Sequence, residues 1–247
     1  LRSYADTTAY EKAFEKLDLL VCIELSMTET AELADYVLPA LSAYESYDTT
    51  FFAWNFPEVY FHIRQPVLEP EYERKESGEI FTMLAKALGV IPDLPDWLYE
   101  AAKRDPFDFT AAMFSYLLRN RKAAKLLPFI VADTRGRECE STHLALARFL
   151  FLITNQGNAR RAGFSPGILS VLSPSRIARA LSAAVRYKSP APLALLLPRF
   201  KLAEILYDEL LNHPEGVWVG KVDPKANMSE LDTRDGKINL HIAELDG

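Results

Sequence analysis

The run Leu19-Leu20-Val21-Cys22-Ile23 constrains this chain more than any other stretch. It is wholly apolar and too short for an ordinary helix, so it reads as a strand buried on both faces of a sheet. It stops at a carboxylate, Glu24. Ser26 and Glu29 follow with the S-x-x-E spacing that opens a helix. Tyr36-Val37-Leu38 then returns as a second short strand, closed by Pro39. Strand, polar turn, short helix and strand make a βαβ-like unit. In open sheets of that kind ligands sit beyond the carboxyl ends of the strands, where Glu24 and Thr28 fall. On the residues alone both also admit a plainer role, Glu24 as a solvated strand end and Thr28 as a helix N-cap.

The neighbouring segments fit an α/β unit. Asp6-Thr7-Thr8 supplies a cap, and Tyr10, Ala13, Phe14 and Leu17 form an apolar stripe at helical spacing. Residues 39–58 carry Tyr44, Tyr47, Phe51, Phe52, Trp54 and Phe56 among polar residues. Large aromatics mostly bury area, so packing is the favoured reading over a substrate channel. Val59–Arg64 alternates as a strand does. Glu76–Leu88 has Ile80, Phe81, Leu84, Ala85 and Leu88 on one helical face, with Gly89 placed as a C-cap.

From Pro92 onward the periodicity becomes helical. It predicts helices over Asp96–Arg104, Phe107–Asn120, Arg121–Leu127, Ser141–Thr154, Pro174–Tyr187 and Lys201–Asn212. Breaks fall at Asn155-Gln156-Gly157-Asn158 and Ser189-Pro190-Ala191-Pro192. Two short strands are expected at the end, at residues 216–220 and 237–242. The fold class expected is therefore α/β: a partial parallel-sheet, Rossmann-like unit with one sheet over residues 1–92, followed by a mainly helical part over residues 93–247.

The chain has 247 residues, of which 49% are hydrophobic, enough for a sizeable core. Its net charge of −6 argues against a general nucleic-acid binder. The local basic clusters Arg119-Asn120-Arg121-Lys122 and Arg160-Arg161 read as solvated helix ends. There are two cysteines, Cys22 and Cys139, whereas a four-iron cluster needs four thiolates. Cys22 reads as core. No secretory signal or membrane span is visible; Leu144–Ile153 is apolar but short and contains Arg148. These features predict a cytoplasmic chain. Because it begins with Leu1, it reads as a fragment or a processed piece.

Several chemistries find no motif. There is no G-x-G-x-x-G, no P-loop and no G-x-S-x-G elbow. His62, His143, His213 and His241 lack metal-ligand spacing. Glu69 and Glu71 sit in a proline-flanked loop and read as solvated.

The string Met27-Thr28-Glu29-Thr30-Ala31-Glu32-Leu33-Ala34-Asp35-Tyr36-Val37-Leu38-Pro39, with Glu45 shortly after, resembles the molybdopterin oxidoreductases of the dimethyl-sulfoxide-reductase family, which includes formate dehydrogenases and assimilatory nitrate reductases. The likeness continues through Gln65-Pro66 and Glu79-Ile80-Phe81 to Leu84–Gly89, so it covers roughly residues 15–90. The tail from His213-Pro214-Glu215-Gly216 to Leu240 is similar to segments before the last domain of some bacterial members.

The resemblance implies a molybdopterin guanine dinucleotide carrying molybdenum or tungsten, an iron–sulfur cluster in a part absent from this chain, and partners that are the rest of the same enzyme or its other subunits. It implies that Glu24 and Thr28 contact the guanine. A carboxylate can accept from guanine's N1–H and its exocyclic amine together, in a charge-assisted pair. Family members place Asp where Glu24 stands, one methylene shorter. The loop Glu45–Thr50 keeps the family's Glu and Thr but lacks its Gly. Two other readings compete: a non-catalytic helical interaction module built on residues 95–212 with the Leu193–Leu197 run, and a degenerate family member that has lost the cofactor.

Overall fold

The computed structural model describes residues 6–49, 57–137, 141–153, 160, 163–225, 233 and 235–238. Helix α1, Thr7–Phe14, starts where Asp6 Oδ1 accepts the Ala9 N–H at 2.9 Å. Strands β1, Val21–Glu24, and β2, Tyr36–Pro39, pair in parallel with Val21 opposite Tyr36 and Glu24 opposite Pro39. Helix α2, Glu29–Glu32, is the crossover between them. Asp35 fixes the register. Its carboxylate accepts the Leu20 N–H at 2.7 Å, and its own N–H donates to the Leu20 carbonyl at 2.8 Å.

The expected βαβ-like unit is present, but its burial is not as expected. Val21 is 40% exposed, Tyr36 64%, and α1 buries none of its residues. A parallel pair needs layers on both faces; here α2 packs against β1, with Ala31 buried, and Cys22, Ile23, Val37 and Leu38 are only half-buried. The run reads as a doubly buried strand because it is apolar, yet the described chain covers it only in part.

One sheet was the expectation; the described residues form three two-stranded sheets. Strand β3, Asp48–Thr49, pairs antiparallel with β5, Ile63–Arg64. Strand β4, Glu58–Phe61, pairs antiparallel with β6, Val217–Lys221, near the other end of the chain. The predicted strand Val59–Arg64 is thus split at His62 between two sheets. Alternation gives the strand direction but not the partner. Lys237 and Ile238 are not in a strand, and the rest of the second predicted end strand lies outside the described residues. So do Phe51, Phe52, Trp54, Phe56, Cys139, Asn155–Asn158, Arg161 and His241.

The remainder is mainly helical: α3 Ser77–Ala87, α4 Asp96–Ala102, α5 Pro106–Arg119, a 3₁₀ turn Arg121–Leu126, α6 Leu127–Val131, a π-helical turn Ala132–Gly136, α7 Thr142–Ile153, α8 Ile168–Val171, α9 Pro174–Arg186, a 3₁₀ turn Ala191–Leu196 and α10 Pro198–Asn212. Helix α5 is the centre. Phe107 through Met113 are all buried, so its first two turns are enclosed on every side. Asp105 caps it, accepting from the Phe107 and Asp108 N–H groups at 2.9 and 3.1 Å, with Pro106 at the first helical position. The hydroxyls of Thr110 and Ser115 are spent on the carbonyls of Pro106 and Ala111, so the polar side chains of this enclosed helix carry their own partners.

The helices pack onto the first part of the chain. Ile63 is fully buried with Leu144, Ala147, Tyr207 and Leu210 in one cluster. Glu76, just before α3, caps α7. It accepts from the Ser141 hydroxyl at 2.6 Å and the His143 N–H at 3.2 Å. His143 Nδ1 in turn lies 2.8 Å from the Tyr47 carbonyl. Gly78 leaves room for this junction, since a Cβ there would meet Thr142 Cγ2 at 2.9 Å. Glu76→Ala is expected to cost about 1–3 kcal/mol, a lost cap plus a lost hydrogen bond to a charged group. Glu76→Gln should cost less, because it keeps one acceptor. Urea unfolding midpoints check the order, and equal midpoints for wild type and Ala would remove Glu76 from the joint.

One stretch, Ile168–Arg186, has the length and apolar character of a membrane span. It is interrupted at Leu172-Ser173, between α8 and α9, and carries Arg176, Arg179 and Arg186. Arg176 is buried against α10 and the turn before it, and with Ala180 and Ala183 it forms the one face of α9 that packs on the protein, the rest of the helix being largely exposed.

Candidate functional site

The carboxyl ends of β1 and β2 open onto two loops. The first runs from Glu24 to Thr28. Glu24 is half-buried, and its Oε1 accepts the Leu25 N–H at 2.8 Å. That bond uses one lone pair and leaves the other carboxylate acceptors for a ligand. Thr28 is the N-cap of α2, its Oγ1 accepting from the Ala31 N–H at 3.3 Å. The S-x-x-E pattern put the helix start at Ser26; the chain uses Thr28. As an acceptor in that cap, the Thr28 hydroxyl still has its proton to donate. The two predicted site residues therefore bracket one turn, an acceptor at the strand end and a hydroxyl at the helix start.

The second loop follows β2. The Ala40 N–H donates to the Glu24 carbonyl at 3.1 Å, so this loop leaves the sheet beside the first. Leu41 and Lys75 extend the edge, the Leu41 N–H donating to the Lys75 carbonyl at 2.9 Å. Glu45 closes the loop on itself, accepting from the Ser42 N–H at 2.9 Å and the Ser42 hydroxyl at 2.7 Å. Arg74 pairs with its other oxygen at 2.7 Å. The Ser42 backbone and hydroxyl bonds hold the Glu45 carboxyl below the usual carboxylate range, with Arg74 adding to them. Glu45 is 5% exposed, so it shapes this loop from within. Sequence reading marked Glu45 only as part of a motif; its partner Arg74, far along the chain, carried no local signal. Leu25, Met27 and Tyr44, on the same two loops, are 59%, 64% and 66% exposed.

Other polar constellations lie in the helical part. Lys86 on α3 meets Asp133 at 2.8 Å, and the Tyr99 hydroxyl donates to the same carboxylate at 2.6 Å. The Asp133 bond holds the Lys86 ammonium above its ordinary range, and burial, with Asp133, raises the Tyr99 hydroxyl. The π turn carrying Asp133 was read from sequence as neither helix nor site. Arg119, taken as a solvated helix end, donates to the Tyr187 and Lys188 carbonyls, the latter at 2.7 Å, and so closes the end of α9. Among the described residues no group of three His, Cys, Asp or Glu is placed to hold a metal ion. Cys22 is a free, half-buried thiol.

In open α/β sheets the loops at the carboxyl ends of the strands are the common place for ligands. The model of the molybdopterin oxidoreductase family matches residues 1–87. A trimethylamine-N-oxide reductase of Haemophilus influenzae is 34% identical over 120 residues, 49% of this chain and 14% of the relative. A dimethyl sulfoxide/trimethylamine N-oxide reductase of Rhodobacter capsulatus is 31% identical over 86 residues, 35% of this chain and 10% of the relative. The respiratory nitrate reductase subunit alpha of Haloferax mediterranei is 37% identical over 78 residues, 32% of this chain and 8% of the relative. The chain thus spans a small part of the length of the relatives it matches. No solved structure matches it.

Proposed function

We propose that residues 1–92 are a cofactor-holding part of a molybdenum or tungsten oxidoreductase, and that Glu24 and Thr28 hold the guanine end of a molybdopterin guanine dinucleotide. The observation that carries the reading is the placement of Glu24 at the carboxyl end of a parallel strand, inside the segment that matches the family. The donor set suits the group. Glu24 retains acceptors for guanine's two donors, and Thr28 retains a proton for an oxygen acceptor on the same base. Exposed Met27 and Tyr44 offer apolar and aromatic surface to a planar ring. The bound group would supply the metal centre for two-electron chemistry; this chain's residues bind and orient it.

Any iron–sulfur cluster and the protein ligand to the metal belong, on this reading, to other parts of the enzyme. Its other parts or subunits are also the partners that the reading calls for. The incomplete cover of β1 and β2 supports it, because a parallel pair of apolar strands is stable when layers cover both sides.

The test is cofactor occupancy of Glu24 variants in the enzyme containing this segment, under limiting cofactor. Glu24→Gln replaces one acceptor by a donor that faces guanine's own donors. A lost charge-assisted bond of about 1.5–3 kcal/mol corresponds to roughly a tenfold to hundredfold loss of affinity. Glu24→Asp should lose less. Molybdenum and released guanine nucleotide measure occupancy; equal values in wild type and both variants would take Glu24 out of the site.

A further inference from the structure

An open pocket of about 670 Å³ lies between residues 90–92, the last turn of α5 and the 3₁₀ turn that follows it. Arg119, Arg121 and Lys122 line it, and among the described residues no carboxylate does. The three cations differ in what they do. Arg119 is spent on the Tyr187 and Lys188 carbonyls, where it offsets the negative end of α9. Arg121 and Lys122 are exposed, and among the described residues their side chains enter no ion pair. The basic cluster of the sequence therefore divides: Arg119 finishes helix ends, and the next two cations stand over the pocket without a counter-charge.

Tyr116 lines the same pocket and is 6% exposed. Its ring meets Trp97, with centroids 6.3 Å apart. Its hydroxyl makes no hydrogen bond among the described residues. The hydroxyls of Tyr187 and Tyr207, which are as deeply buried, donate to Asp108 at 2.9 Å and to the Leu144 carbonyl at 3.2 Å. Burial alone raises the Tyr116 hydroxyl above its ordinary range, so it stays a neutral donor. A donor withdrawn from water with no acceptor of its own destabilises a fold. Here a ligand in the pocket would supply the acceptor. Val90, Pro92 and Leu118 give the pocket an aliphatic side next to the cations.

We propose that this pocket binds a small organic phosphate monoester, its phosphate taken by Arg121, Lys122 and the Tyr116 hydroxyl and its organic part lying on Val90, Pro92 and Leu118. A phosphate dianion matches two unpaired cations and accepts a hydroxyl bond as well. A carboxylate carries one charge only, and a nucleic-acid strand suits poorly a chain of net charge −6. The site shares no residue with the Glu24 loop and stands or falls independently of it.

Isothermal titration of the chain at low salt with phenyl phosphate and, separately, with inorganic phosphate tests the proposal. Phenyl phosphate is expected to bind, and more tightly than inorganic phosphate. Tyr116→Phe removes one oxygen and no charge; it should weaken the binding about tenfold, the loss of one hydrogen bond to a charged group. Arg121→Gln and Lys122→Gln act at exposed positions and should each weaken it about twofold to fivefold. Because its hydroxyl has no partner to lose, Tyr116→Phe without ligand should keep or raise the unfolding midpoint. A hydroxyl that served the fold would lower it. Absence of heat with phenyl phosphate, equal affinity for the two anions, wild-type affinity in Tyr116→Phe, or a lowered midpoint in that variant would each overturn the proposal.

Discussion

Phe109→Ala should destabilise the chain by about 3–5 kcal/mol, the range for removing a buried aromatic ring from a packed core. Phe109 is 1% exposed on the enclosed face of α5. Its ring meets Phe149 of α7 edge to face, with centroids 5.6 Å apart and planes at 75°. Phe149 is itself 5% exposed and packs into the same cluster as Leu98, Met113 and Ile130. The loss therefore has three parts: ring burial, the aromatic pair, and a cavity that rigid neighbours on several helices fill only partly. For a chain of this size each kcal/mol moves the melting midpoint by about 2–4 °C, so a fall of roughly 6–20 °C is expected. Phe81→Ala on α3 is the control. Phe81 is 54% exposed, and its loss should move the midpoint far less. Equal shifts in the two variants would show that the core is not where the structure puts it.

That contrast marks what the sequence could and could not say. Phe81 and Phe109 both sit on apolar helical stripes. Periodicity finds the stripe; it does not say whether anything lies against it. In α3 the predicted face divides: Ile80 and Ala85 are buried, while Phe81, Leu84 and Leu88 are exposed at 54%, 42% and 79%. The stripe of α1 buries none of its residues, and the strands after it are only half-buried. These lie in or next to the matched family segment, whose relatives are far longer than this chain. An apolar stripe records that a face was selected for burial; the pattern does not say what buries it.

Helix ends were more legible, because they depend on nearby residues. The predicted starts at Phe107 and Pro174 and the C-cap Gly89 each fell within a residue or two of the boundary; Gly89 adopts the positive φ of 70° that ends α3. The βαβ-like unit was legible for the same reason. The other two sheets were not. Pairing β4 with β6 joins residues 58–61 to 217–221, a separation that no local pattern encodes. The positions of Glu24 at the strand end and Thr28 at the helix cap were legible from the turn they bracket. Arg74 behind Glu45, and the pocket that Tyr116 shares with Val90 and Pro92, were not, since each joins segments that lie apart in the sequence.

Asp108→Ala should cost about 2–4 kcal/mol, and its effect should carry a signature in alkaline solution. Asp108 is 7% exposed. It accepts from Arg186 at 2.6 Å, from Arg104 at 2.9 Å and from the Tyr187 hydroxyl at 2.9 Å. Removing one partner of a buried pair costs about 3–5 kcal/mol when the survivor stays buried. Here Arg104 and Arg186 are 47% and 44% exposed and can turn to water, so the expected figure is lower. Tyr187 cannot turn; it is 6% exposed. Burial first, then the Asp108 charge and hydrogen bond, push its hydroxyl up to about 12. The unfolded value is about 10. Because the folded value is the higher, the associated stability is complete below pH 10. It is lost as pH rises from about 10 to 12, by about 1–2 kcal/mol after allowance for solvent screening. Subtracting the unfolding curve of Tyr187→Phe from that of wild type isolates this loss from the other tyrosines. In Asp108→Ala the window should narrow, because burial alone then holds the Tyr187 value up. Wild type and Tyr187→Phe falling in parallel between pH 10 and 12 would show that Tyr187 is not held by Asp108.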